Sequence, residues 1–133
     1  MEIAVDFAGD KKVTAKFKGF TVETDQSIRG GGGGTAPEPF GLFLASIAAC
    51  SGYYVLDFCL TRDIPTKGIR LFMRTEWDKV KKLVGKISIE IQLPPSFPEK
   101  YEKAVERAVG ACSVKKNIFD PPEFDIYSTK STS

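Results

Sequence analysis

Apolar and polar residues alternate from the start of the chain. Ile3, Val5 and Phe7 fall on one side of an extended segment, and Glu2, Ala4 and Asp6 on the other, the pattern of a half-buried strand. Gly9-Asp10-Lys11 marks a turn, after which Val13, Ala15 and Phe17 alternate again; Lys18-Gly19 precedes a third short run, Phe20 to Glu23. Short alternating runs joined by tight turns predict an antiparallel meander. Residues 24–37 break the pattern, with five consecutive glycines from Gly30 to Gly34. No Lys-Ser or Lys-Thr follows, so this is not a phosphate-binding loop. It reads as a flexible connector, or as a segment passing so close to a ligand or partner subunit that a side chain would obstruct.

The next segment changes character. The 18 residues from Pro39 to Leu56 carry no charge, which just reaches the lower limit for a membrane span. Asp57 ends the run, while Ser46, Ser51 and two glycines dilute it, and the flanking amphipathic strands need a shared core. The pattern therefore predicts a helix from Pro39 to about Leu60, apolar on every side and suited to a crowded, buried position. Ile69, Leu71, Met73, Thr75 and Trp77 alternate against Arg70, Phe72, Arg74 and Glu76, Asp78 to Lys82 turns, and Leu83 to Leu93 alternates again. This is a long hairpin. Pro94-Pro95 stops it, and Ser96-Phe-Pro-Glu99 has capping-box spacing for a second helix. Tyr101, Ala104, Val105, Ala108 and Cys112 share one face of that helix. A short turn or helix over 113–119 and a last strand near Phe124 to Tyr127 complete the chain. The order βββ–α–ββ–α–β, without strict alternation, predicts a single α+β domain over 1–133 with a largely antiparallel sheet.

Composition narrows the chemistry. Lys and Arg total 19 against 17 Asp and Glu, a net charge of +2, so no electrostatic footprint for nucleic acid is present. GXXG and aromatic ribonucleoprotein motifs are missing too. With no histidine in 133 residues, Ser-His and Cys-His pairs and imidazole-dependent zinc sites are excluded. The three cysteines, Cys50, Cys59 and Cys112, form no C-x-x-C pair, which argues against zinc ribbons, iron–sulfur clusters and thioredoxin-type motifs. The first residues do not pattern as a signal peptide, so the cytoplasm, where thiols stay reduced, is the expected compartment.

Cys50 sits mid-helix within Ala48-Ala49-Cys50-Ser51-Gly52, where small neighbours leave room above the sulfur. It reads as packing or as chemistry. Cys59 lies nine residues on, roughly opposite at 100° per residue, and reads as core. Cys112 falls on the apolar face of the second helix, so a Cys50–Cys112 dithiol is permitted but not required.

The run Pro39-x-x-Leu42-x-Leu-Ala-x-Ile-Ala-Ala-Cys50, the later Ala111-Cys112-Ser113-Val114 and the element order resemble the OsmC/Ohr family of osmotically inducible and organic hydroperoxide resistance proteins. The resemblance spans nearly the whole chain. It implies an intertwined homodimer with long buried central helices and exchanged strands. It also implies a thiol peroxidase that reduces organic hydroperoxides, with Cys50 peroxidatic and Cys112 resolving. No metal or organic cofactor would be needed; the reductant would be a dithiol such as a lipoyl or thioredoxin-like protein. Neither nucleic acid nor membrane is an expected partner. The chain departs from the family pattern at the activating groups. The family Glu position is occupied by Phe40, Glu38 is two residues off register, and Arg29 lies at about the family's separation for its Arg. Arg70 and Arg74 are alternative cations. A thiol without a cation reacts slowly, so a second reading is a binding member of the fold that holds a hydrophobic ligand at the dimer interface.

Overall fold

The computed structural model describes residues 1–131. Among them the elements are strands β1 (Ala4–Gly9), β2 (Lys12–Phe17) and β3 (Phe20–Thr24), helix α1 (Pro39–Leu60), strands β4 (Arg70–Asp78) and β5 (Leu83–Gln92), a 3-10 turn (Glu99–Tyr101), and helices α2 (Glu102–Gly110) and α3 (Ser113–Phe119). The α+β class, the meander, the long helix and the hairpin all stand as the sequence predicts. The chain gathers into two compact units, one ending at Ser46 and the other beginning at Ile47.

The first unit holds the antiparallel sheet β1-β2-β3. Its two turns place Gly9 at φ 101° and Gly19 at φ 79°, with Asp10 and Lys18 also at positive φ, the conformation that two-residue hairpin loops require. β1 is not half-buried as its alternation predicts: all six of its residues are exposed. It is an edge strand of the three-stranded sheet.

The glycine loop is tightly built. Asp25 is fully buried; its Oδ2 accepts the Thr35 N–H at 3.1 Å and the Thr35 hydroxyl at 2.7 Å, and its Oδ1 accepts the Gln26 N–H at 2.7 Å. Gly30 and Gly32 each donate N–H to the Ser27 carbonyl at 2.9 Å, and Gly34 donates to that of Gln26 at 3.0 Å. A Cβ on Gly32 would overlap the Gln26 carbonyl and come within 2.8 Å of Asp25 Oδ1. The glycines thus let the loop close on itself around a carboxylate.

Those hydrogen bonds, led by the Thr35 hydroxyl, hold the Asp25 carboxyl down at about 2 against an ordinary 3.8. A depressed carboxyl contributes stability that is complete above its unfolded value and lost as pH falls through the folded one. Stability should therefore drop between about pH 4 and pH 2. Asp25→Asn should flatten that part of the acid unfolding curve, followed by circular dichroism; an unchanged curve would remove Asp25 as the cause.

The second unit is built on one core of Val55, Phe58 and Cys59 from α1, Phe97, and Val105 and Val109 from α2. Inward residues of the β4–β5 hairpin, Leu71, Ile89 and Ile91, pack against it. Only one stripe of α1, comprising Ile47, Ser51, Val55, Phe58 and Cys59, is buried. The helix is long and apolar enough to cross a membrane by length and composition. Phe40, Phe43, Tyr53, Leu56 and Leu60 on its other faces are exposed. The expected burial on every side is not met within one chain.

Three local expectations are corrected. The Ser96–Glu99 capping box does not form: the chain enters through the 3-10 turn, with no side-chain cap on it or on α2. Pro98 precedes that turn and supplies extended backbone there. Cys112 is not on α2, which ends at Gly110. And no strand forms near Phe124 to Tyr127; these residues are exposed and belong to no ladder. Alternation gives a segment the capacity to pair, and the pairing still needs a free edge within reach.

Candidate active site

Cys112 is the hinge between α2 and α3. Its N–H donates to the Val109 carbonyl at 3.2 Å, closing α2, and its carbonyl accepts the Lys116 N–H at 3.1 Å, opening α3. Its own backbone is extended, at φ −53° and ψ 130°. The next residues, Ser113 and Val114, are the first two of α3, and first-turn N–H groups have no partner inside their own helix. Their N–H groups, with the Cys112 thiol and the Ser113 hydroxyl, lie close enough to the Cys50 sulfur to favour its ionised form. The Ser113 Oγ lies 3.8 Å from Cys50 Sγ.

Cys50 is half-buried in the middle of α1. Desolvation is the largest single influence on its thiol and pushes the pKa up. The hydrogen bonds from Cys112, Val114 and Ser113 outweigh it, so the thiol lies below its ordinary 9.0. Thiolate at neutral pH is the nucleophilic form. Cys59 is the reverse case: fully buried in the core, its thiol is pushed up by desolvation, with Arg62 opposing.

The structure thus brings Cys50 and Cys112 together and leaves Cys59 apart as core. Arg29 and Glu38 belong to the other compact unit. There Arg29 is exposed, and Glu38 Oε1 accepts the Ser27 N–H at 3.1 Å, tying down the glycine loop. The alternative cations are engaged elsewhere: Arg70 lies 4.8 Å from the Phe72 ring centroid, and Arg74 bonds Glu90 at 2.9 Å. The groups that act on Cys50 within one chain are therefore the Cys112 thiol, which the sequence singles out, and the Ser113–Val114 backbone with the Ser113 hydroxyl, which sequence reasoning passed over. A signal was present, in the Gly110-Ala111-Cys112-Ser113 break between two helical patterns.

A cavity of about 540 Å³ opens in the second unit, lined by residues on either side of this corner but by neither Cys50 nor Cys112, and falls within the usual size range for small-molecule sites. Its wall includes Ile47, three residues before Cys50 on α1, with Ile89, Ile91, Val109 and Ile118, and Lys115 from α3. Among the described residues no group of three or more Cys, Asp or Glu side chains is placed to hold a metal ion.

The model of the OsmC-like protein family matches residues 31–126. The chain belongs to the OsmC-like family. That family is linked to stress response and peroxidase activity, and its members are commonly dimeric. Among solved structures, a Psychrobacter arcticus 273-4 protein named for osmotic stress induction and detoxification response aligns with a TM-score of 0.73 at 20% identity, over 86% of this chain and 85% of that one. An Aquifex aeolicus VF5 protein of no stated function aligns at 0.64 with 21% identity, over 90% and 87%. At these identities the likeness establishes the OsmC-like fold. No curated protein matches the sequence.

Proposed function

We propose that this OsmC-like protein is a thiol peroxidase for organic hydroperoxides, acting as a homodimeric single domain over 1–133 in the cytoplasm. The observation that carries the reading is the half-buried Cys50 thiol, lowered by hydrogen bonds from the corner that also carries Cys112. The Cys50 thiolate attacks the terminal oxygen of the hydroperoxide. The O–O bond breaks, the alkoxide leaves as an alcohol after taking a proton, and Cys50 becomes a sulfenic acid. The Cys112 thiol then attacks that sulfur, the S–O bond breaks, and water leaves as the disulfide forms. An external dithiol, lipoyl or thioredoxin-like, returns both cysteines to thiols through disulfide exchange and is itself oxidised. No metal or organic cofactor enters the cycle. The apolar cavity supports a substrate with a hydrocarbon body. Arg29 and Glu38 are the proposed activating pair should the dimer bring them to Cys50, and the apolar faces of α1 left exposed by one chain support the dimer.

Brief treatment with cumene hydroperoxide should consume two thiols per chain. Peptide mapping should find residue 50 joined to residue 112, with Cys59 free. Oxidation of Cys59 in place of either partner would defeat the assignment. The same cavity also favours a second reading, a weakly active or non-catalytic member that binds a hydrophobic ligand. Saturable binding of an apolar probe without any thiol loss would select it.

A further inference from the structure

The tip of the β4–β5 hairpin combines features that neither the core nor the thiol site uses. Its turn is pinned from inside: Asp78 Oδ1 accepts the N–H groups of Val80 and Lys81 at 2.9 Å each, and the Asp78 carbonyl accepts that of Lys82 at 2.8 Å. With the backbone satisfied internally, the side chains project outward. Val80 at the apex is 91% exposed, Trp77 61% and Leu83 48%. Lys79, Lys81 and Lys82 lie in the same turn, and Lys86 follows on β5. Of the two carboxylates there, Asp78 is committed to the turn and Glu76 lies 3.8 Å from Lys86. Lys79, Lys81 and Lys82 have no ion-pair partner among the described residues.

Lysines on a hairpin are a common guard against edge pairing, but a guard needs no aromatic and aliphatic side chains at the apex. Lysine is also depleted from the cores of protein interfaces. Unpaired ammonium groups in one turn with an exposed indole and two exposed aliphatic side chains match a different counter-surface. Lipid phosphates take the lysines, indole settles at the headgroup level, and aliphatic groups enter just beneath. We propose that the 77–83 tip docks on the surface of an anionic phospholipid bilayer. This is a surface contact through a β-turn, distinct from a membrane span. It reverses the sequence-based expectation of no membrane partner, and it is independent of the peroxidase reading.

Trp77 is the single tryptophan of the chain, so its fluorescence reports on the tip directly. The full-length protein is titrated with vesicles of phosphatidylglycerol and phosphatidylcholine, and separately with phosphatidylcholine alone. The expected result is a blue shift and protection from acrylamide with the anionic vesicles only, reversed by salt. Neutralising one lysine should weaken partitioning about fivefold, and Lys79→Gln/Lys81→Gln/Lys82→Gln together roughly a hundredfold. These positions are exposed, and unchanged far-ultraviolet circular dichroism checks that the variant folds. No shift with anionic vesicles, an equal shift with the zwitterionic ones, or unaltered partitioning of the triple variant each overturns the proposal. So does a Trp77 already shifted and shielded without lipid, which would mean that a second copy of the chain covers the tip.

Discussion

Cys50→Ser should lower peroxide consumption by at least about a thousandfold, the scale expected when a reacting nucleophile is removed. Cys112→Ser should behave differently. Its first turnover survives, because Cys50 still breaks the O–O bond, but no thiol remains to condense with the sulfenic acid. Mass spectrometry should then find one added oxygen on residue 50, trapped by dimedone, and turnover should stall after one equivalent. Alkylation of Cys50 by iodoacetamide should reach half its limiting rate below the ordinary thiol value of 9.0, since the hydrogen bonds from the 112–114 corner favour the thiolate. Cys112→Ala, which removes the side-chain donor at this position, should shift that midpoint upward. Full turnover by Cys50→Ser would end the peroxidase reading and leave the OsmC-like fold untouched.

The largest loss of stability is expected from Phe58→Ala. Phe58 is buried in the core of the second unit, meets Tyr101 edge-on at 5.8 Å between ring centroids, and carries the Arg62 guanidinium 3.7 Å from its own centroid. Truncation leaves a cavity and removes both ring contacts, a change worth about 3–5 kcal/mol. A domain of this size has about 5–15 kcal/mol in total, so urea unfolding should show a midpoint reduced by about a fifth or more. Phe58→Leu restores much of the volume and should cost clearly less. A loss below about 1 kcal/mol for the alanine variant would show that the core does not depend on this ring.

The relation between the thiol site and the rest of the chain follows from where each residue's constraints come from. Cys50 was identifiable as a candidate because small residues flank it on a long uncharged helix, and the family resemblance singled out Cys112. Cys59 was readable as core from helical geometry alone, and its full burial agrees. The activating groups were only partly readable. Charged side chains point to Arg29, Glu38, Arg70 and Arg74, whereas within one chain the Cys50 thiol is lowered first by the Cys112 thiol and then by the Val114 and Ser113 N–H groups and the Ser113 hydroxyl; backbone N–H groups are announced by no residue type.

The same division holds for the fold. Period-two alternation placed β1 to β5, and the uncharged run placed α1 from Pro39 to Leu60, because both are local consequences of which side chains can share a face. Burial was decided by tertiary structure, since it depends on what lies opposite: β1 alternates yet is exposed, and α1 is apolar all round yet buries one stripe. The Ser96–Glu99 spacing fits a capping box, but the entry through Pro98 and a 3-10 turn left it unused. The Phe124–Tyr127 alternation fits a strand, but a strand exists only when another edge accepts its hydrogen bonds. The loop at Gly30–Gly34 shows the limit most plainly. Five glycines in sequence permit nearly any path; the buried Asp25 carboxylate, reached by Gln26 and Thr35 from either side of the loop, selects one.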